Sequence, residues 1–200
     1  MSDKYGDGRD PYLYPGINVL RNRLGIRQDK RLEQAAYDLT ALRAATIELG
    51  PQVRGLPHLC AIHRHLYQDV FDWAGHLREI DIYKDDTRFC NFQYIENEGN
   101  ALMQALEEEE YLAGLEKSEF IARLAHYYCE INVLHPFRLG NGLAQRIFFE
   151  QLAIHAGYVL DWRDIDVEAW RQANQSGAMG DLAPLEAIFA DVVSEAGESA

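Results

Sequence analysis

The stretch His135-Pro136-Phe137-Arg138-Leu139-Gly140-Asn141-Gly142-Leu143-Ala144-Gln145-Arg146 decides how this chain is read. An apolar helical pattern runs into it and another runs out. Between them sit a histidine, a glycine-rich turn and an arginine. Gly140 and Gly142 tolerate positive φ, and Asn141 does so better than most residues. Such a turn can aim successive backbone N–H groups into one concavity that suits an anion. The helix that starts there adds N–H groups without intrahelical partners and the positive end of its dipole. Arg146 follows one turn later. Helical side chains lean toward the N-terminus, so its guanidinium can reach back to a second phosphate. His135 is the one side chain here whose unperturbed pKa lies near neutrality, which suits it to take a proton from a hydroxyl. The stretch reads as a base beside a di- or triphosphate cradle. An architectural reading stands beside it. Gly-Asn-Gly can be a C-cap followed by an N-cap, His-Pro a helix stop, and Arg146 a partner for Glu150 one turn on.

Composition narrows the classes. The chain has 200 residues, 48% hydrophobic and 26% charged, which fits one globular domain over residues 16–200 behind an irregular arm over residues 1–15. A net charge of −13 argues against nucleic acid and acidic membranes as partners and is compatible with a basic protein partner. No apolar run approaches the roughly 20 residues that span a bilayer. The N-terminal segment is polar rather than a signal peptide. Cys60, Cys90 and Cys129 are odd in number and scattered, as in a cytoplasmic chain with free thiols.

Periodicity places the elements. A short helix is expected from about Ile17 to Leu24. Asp29 should cap a longer one carrying Leu32, Ala35, Ala36, Leu39 and Leu42, ended by Gly50-Pro51. Gly55-Leu56-Pro57 opens the next helix. Its His58, His63 and His65 lack the spacing of a zinc set, so His58 is expected to pack and the others to lie at the surface. Leu77 to Phe92 alternates like a hairpin around Lys84-Asp85-Asp86-Thr87. Tyr94 to Leu115 reads as a helix with an acidic, solvated end. Glu116 to Leu134 reads as an amphipathic helix capped by Ser118 that delivers His135. Leu143 to Ala156 is apolar nearly all round, so it should be the buried central helix. Gly157 closes it, Tyr158 to Trp162 forms an extended link, and Asp166 and Asp181 cap the last two helices. The class is all-α: a helical bundle with a buried central helix and a short β-hairpin.

The central stretch resembles the signature of the Fic (filamentation induced by cAMP) family, His-Pro-Phe-x-(Asp/Glu)-Gly-Asn-Gly-Arg-x-x-Arg. Seven of nine fixed positions match. Phe71-Asp72-Trp73-Ala74-Gly75, Arg78, Lys84 and Phe89 resemble the family's flap segment. Glu130-Ile131-Asn132 and Ala156-Gly157-Tyr158 also fit, so the likeness spans about residues 55–190. It implies the Fic fold and transfer of AMP from ATP to a protein hydroxyl. His135 would be the base. Lys84, Asp85, Pro136, Phe137, Arg138, Gly140, Asn141, Gly142, Arg146 and Gln172 would lie around the nucleotide. The 77–92 flap would hold the target segment by strand addition, for which an unpaired edge is suited.

Two positions depart from the signature. Leu139 stands at the acid that holds Mg²⁺ in the family, and Leu143 at its first arginine. Slow turnover is expected, with ATP as substrate and Mg²⁺ still a candidate cofactor although its usual ligand is absent. Two rivals follow: a nucleotide-binding regulatory protein that no longer transfers AMP, and a peptide-binding module. The family's inhibitory helix, (Ser/Thr)-x-x-x-Glu-(Gly/Asn), has only a near match at Ser194 to Ser199 with Glu198, after Gly197. The resemblance then implies a small separate antitoxin that supplies the helix.

Overall fold

The computed structural model describes residues 4–5, 10–48, 55–84 and 87–197. The expectations for Gly50-Pro51, Asp85 and Glu198 lie outside them. Seven helices among the described residues build the molecule: α1 (Asp29–Ala44), α2 (Gly55–Tyr67), α3 (Ile95–Glu108), α4 (Lys117–Leu134), α5 (Asn141–Ala156), α6 (Val167–Ala178) and α7 (Ala183–Val192). The strands are short: β1 (Lys4–Tyr5), β2 (Ile82–Lys84), β3 (Thr87–Arg88), β4 (Tyr158–Leu160) and β5 (Val193–Glu195).

Helix α5 is the central element. Ala144, Ile147, Phe148, Phe149, Leu152 and Ala153 bury its whole circumference together with the polar Asn141, Gln145 and Gln151. A buried polar group is costly unless paired. Gln145 donates to the Tyr128 carbonyl at 2.5 Å. Gln151 donates to the Glu48 carbonyl and accepts from the His58 ring at 2.7 Å. Helix α4 lies against α5 through Phe120, Leu124, Tyr128 and Ile131, and α2 contributes Leu59, Ile62 and Leu66.

Several local expectations are not met. Ile17 to Leu24 forms no helix. The Asn22 side chain binds the Leu20 and Ile26 carbonyls and the Ile26 N–H, and so offers the backbone a competing set of bonds. Gln28, not Asp29, is the N-cap of α1, and Glu116, not Ser118, is that of α4. Helix α3 stops at Glu108. Glu110, Tyr111 and Leu112 turn through positive φ, which buries Leu112 completely. Asp166 caps α6 by accepting from the Ala169 N–H, and Leu182 occupies the N-cap of α7. Helix α5 begins two residues before the expected Leu143.

The 77–92 segment forms the expected hairpin, β2 paired antiparallel with β3 (Tyr83 opposite Arg88, Lys84 opposite Thr87). Its β2 edge is not free. Strand β1 from the N-terminal arm pairs with it, Lys4 opposite Tyr83 and Tyr5 opposite Ile82. The order β1-β2-β3 leaves β3 as the hairpin's outer edge. The arm is fastened beyond β1 as well. Tyr12 is buried edge-on to Trp73, and Asp10 pairs with Arg138 at 2.7 Å. None of the described helices is long and apolar enough to cross a membrane.

Candidate active site

The central loop starts where α4 ends. His135 is its C-cap in a left-handed conformation (φ 45°, ψ 61°), which costs a non-glycine residue about 1–2 kcal/mol. Arg78 holds it there. Its guanidinium, 0% exposed, donates to the His135 carbonyl at 2.8 Å, to Ile80 at 2.6 Å, to Leu134 at 3.4 Å and to Cys90. Its backbone N–H donates to the Pro136 carbonyl at 2.8 Å. One buried cation thus ties the end of α4 to both sides of the flap. Asp81, 3.9 Å away, balances part of its charge. Burial still lowers the Arg78 pKa.

The His135 ring is oriented from two sides. Its Nδ1 lies 3.2 Å from the Asn132 carbonyl oxygen. A carbonyl only accepts, so Nδ1 carries a proton, and in the neutral ring the lone pair is then on Nε2. Phe89, next after β3, stacks on the ring with centroids 3.8 Å apart and planes 14° apart. The flap therefore positions the imidazole as well as flanking it.

The turn into α5 is locked by its own side chains. Asn141 accepts from the Phe137 N–H at 2.8 Å and donates to the Phe137 carbonyl at 2.7 Å, so it pins the loop. Gly140 has φ 84°, and any Cβ there would overlap the Tyr67 ring. Gly142 is different: a Cβ there meets nothing within 4 Å, so packing does not dictate this glycine. The Ala144 N–H closes the first turn on the Gly140 carbonyl at 3.2 Å. The N–H groups of Asn141, Gly142 and Leu143 remain as the helix's first donors.

His63 supports the loop from beneath, contrary to the expected surface position. It is fully buried and stacks on Phe137 at 3.9 Å. The Gly75 N–H donates to its Nδ1 at 2.8 Å, so Nε2 bears the proton that goes to the Leu139 carbonyl at 2.9 Å. Burial pushes its pKa from 6.5 down to about 4, so the ring is neutral.

Arg146 is held by aromatic faces. Its guanidinium carbon lies 5.4 Å from the Trp162 ring centroid and 5.8 Å from that of Trp170. Burial raises the pKa of the Tyr128 phenol, against the pull of nearby Arg146. The alternative pairing with Glu150 does not form within 4 Å. Burial raises the Glu150 pKa, against the pull of nearby Arg146.

The other named residues divide. Pro136, Phe137, Gly140, Asn141 and Gly142 share the loop with His135, and Arg146 sits one turn into α5. The Arg138 guanidinium turns inward onto Asp10 and is 1% exposed, so its side chain faces the arm. Gln172 is exposed and donates to Glu168 at 2.8 Å, a surface pair on one helix face. Lys84 ends β2, opposite Thr87. Leu139 is 37% exposed and offers only a backbone carbonyl, which His63 already occupies. Among the described residues no group of three His, Cys, Asp or Glu side chains could hold a metal ion. At the position of the family's acid, Leu139 offers Mg²⁺ no carboxylate. Ser194, which begins the near match to an inhibitory helix, lies in β5 opposite Val159.

Sequence reasoning missed His63, Asp10 and the Trp162–Trp170 pair, whose roles depend on contacts 12 to 128 residues apart. Comparison with known proteins matches residues 55–153 to the Fic/DOC family. The chain is 77% identical, over the full length of both, to the probable protein adenylyltransferase Fic of Escherichia coli (strain K12). It is 37% identical over 93% of its length to protein adenylyltransferase VbhT of Bartonella schoenbuchensis, covering 39% of that protein. Two solved structures superpose well. BepC of Bartonella tribocorum with bound AMPPNP gives TM-score 0.84 at 27% identity, covering 92% of this chain and 97% of that one. A Bartonella quintana Fic domain with bound ADP gives 0.86 at 28%, covering 94% and 96%. With the family model matched over residues 55–153 and 77% identity along the whole chain to one relative, the protein belongs to the Fic/DOC family.

Proposed function

We propose that this chain is a protein adenylyltransferase that moves AMP from ATP to a protein hydroxyl, and that it does so slowly. The observation that carries the reading is the fixed tautomer of His135, its lone pair on Nε2, in the loop that ends at the α5 N-terminus. The names of the relatives and the AMPPNP and ADP bound to the similar structures support the nucleotide. The target oxygen attacks the α-phosphorus as its proton passes to His135 Nε2. The new P–O bond forms as the bond to the β-phosphate oxygen breaks, and pyrophosphate leaves. The first N–H groups of α5 hold the inner phosphates and Arg146 the outer ones. No step runs through a metal, because Leu139 provides no ligand. Leu143 removes one charge-assisted bond, worth about 1.5–3 kcal/mol, or roughly ten- to a hundredfold in rate.

The target segment adds as a strand to the hairpin. Strand β1 covers the β2 edge, so β3 is the edge offered to it. The three unpaired cysteines suit a reducing cytoplasm. A small separate protein supplies the inhibitory helix, since Ser194 sits in a strand. A second reading, a nucleotide-binding regulator without transfer, is favoured by Leu139 and Leu143.

Parallel incubations with ATP labelled at the α- or the γ-phosphate, in a cell extract, test the reaction. Transfer of α label alone is expected. Transfer of γ label would make the chemistry phosphorylation. ATP binding without any transfer would establish the second reading.

A further inference from the structure

Arg146 differs from every other arginine of its burial. Among the described residues the arginines that are not exposed are Arg43, Arg78, Arg123, Arg138, Arg146 and Arg171. Each except Arg146 has a carboxylate within 4 Å, from Asp69, Asp81, Glu109, Asp10 and Glu168 respectively. Arg146 has two indole faces and a phenol instead, brought from α4, from the link after β4 and from α6. The aromatics also lock one another. Trp162 and Trp170 meet edge-on at 5.7 Å, and Tyr128 contacts Trp170 at 5.2 Å.

The choice of partner matters electrically. A carboxylate would fix the guanidinium but cancel its charge for any incoming anion. Indole faces attract the cation through their quadrupole and add no negative charge, while Glu150, whose carboxyl feels Arg146, stays more than 4 Å away. They also restrict the rotamers of a long side chain, which removes an entropic cost from later binding. With Leu143 in place of the signature's first arginine, Arg146 is the cation that the central stretch has left for outer phosphates.

We propose that Trp162 and Trp170, with Tyr128, form an aromatic cradle that positions Arg146 for the β- and γ-phosphates of a nucleoside triphosphate without neutralising it. The two tryptophans are positioning residues that do not themselves touch the phosphates. The inference rests on the nucleotide reading above. It predicts that the cradle governs discrimination between ATP and AMP rather than affinity for the nucleoside.

Calorimetric titration of the full chain with ATP and with AMP tests this, on wild type, Arg146→Ala, Trp162→Leu, Trp170→Leu and the conservative Trp162→Phe and Trp170→Phe. Arg146→Ala is expected to weaken ATP tenfold or more and leave AMP within about twofold. Each leucine variant should weaken ATP about three- to tenfold with AMP unchanged, and each phenylalanine variant should recover most of that loss. Leucine variants that bind ATP as wild type does, while Arg146→Ala does not, would overturn the cradle and leave the nucleotide site standing. So would equal losses of ATP and AMP that phenylalanine does not rescue, which would mark a structural role only. Wild type binding ATP no tighter than AMP would instead defeat the nucleotide reading itself.

Discussion

Acid should uncouple the central loop through His63 before it unfolds the rest of the protein. The ring accepts from the Gly75 N–H at Nδ1 and donates to the Leu139 carbonyl at Nε2. Protonation would put a second N–H at Nδ1, facing the Gly75 donor, and a charge into a fully buried aromatic stack. The folded ring therefore resists protonation, with a pKa of about 4 against 6.5 for an ordinary histidine. The sign follows from proton counting. Between those values the unfolded chain binds the proton and the folded chain does not, so stability falls as pH falls from about 6.5 toward about 4. The gap of about 2.5, at about 1.4 kcal/mol each, amounts to about 3 kcal/mol. Urea denaturation at intervals from pH 7.5 to pH 4.5 measures it on wild type and His63→Gln. The variant starts less stable, having lost the stack, but its stability should decline with acid by about 2–3 kcal/mol less than that of wild type. The other titrating groups are common to both proteins, so the difference isolates His63. Equal slopes would refute a buried neutral His63, and with it the explanation of how Leu139 is held.

Four further outcomes follow from the same geometry. Gly140→Ala should cost about 2–5 kcal/mol in chemical denaturation, from strain at φ 84° and overlap with Tyr67, and Tyr67→Leu in the same chain should recover part of it. Arg78→Met should lower stability by at least about 3 kcal/mol, because several carbonyls lose one buried donor, and should speed amide exchange at His135. An N-terminal truncation of residues 1–8 removes β1 and keeps Asp10. It should leave the melting temperature within a few degrees while exposing the β2 edge, read as increased peptide binding to the hairpin. Asp10→Asn should destabilise the chain, because it removes the carboxylate that meets the buried Arg138 guanidinium at 2.7 Å, measurable by urea denaturation.

The parts legible in the sequence were those set by local rules. The apolar circumference of α5, the helical stripe of α4, the hairpin and the stop at Gly157 are written in residues that neighbour one another. His135 and the turn Gly140-Asn141-Gly142 could be read the same way. The missed parts depend on which surfaces meet. Nothing near Arg146 says that Trp162 and Trp170 will close over it, and nothing near His63 says that a carbonyl 76 residues away needs its proton. Asn141 shows the limit at short range. Its type and place fit an anion nest, yet its side chain turns back to clamp Phe137. Asn22 shows the converse, where one amide side chain dissolved an expected helix.

The most direct measurement is label transfer from α-labelled ATP to protein in a cell extract by wild type, His135→Ala and the double variant Leu139→Glu/Leu143→Arg. Weak label with wild type, loss of about a hundredfold or more with His135→Ala and a clear gain with the double variant are expected. Label undiminished in His135→Ala would contradict the central claim that this imidazole, set by Asn132 and Phe89, is the base.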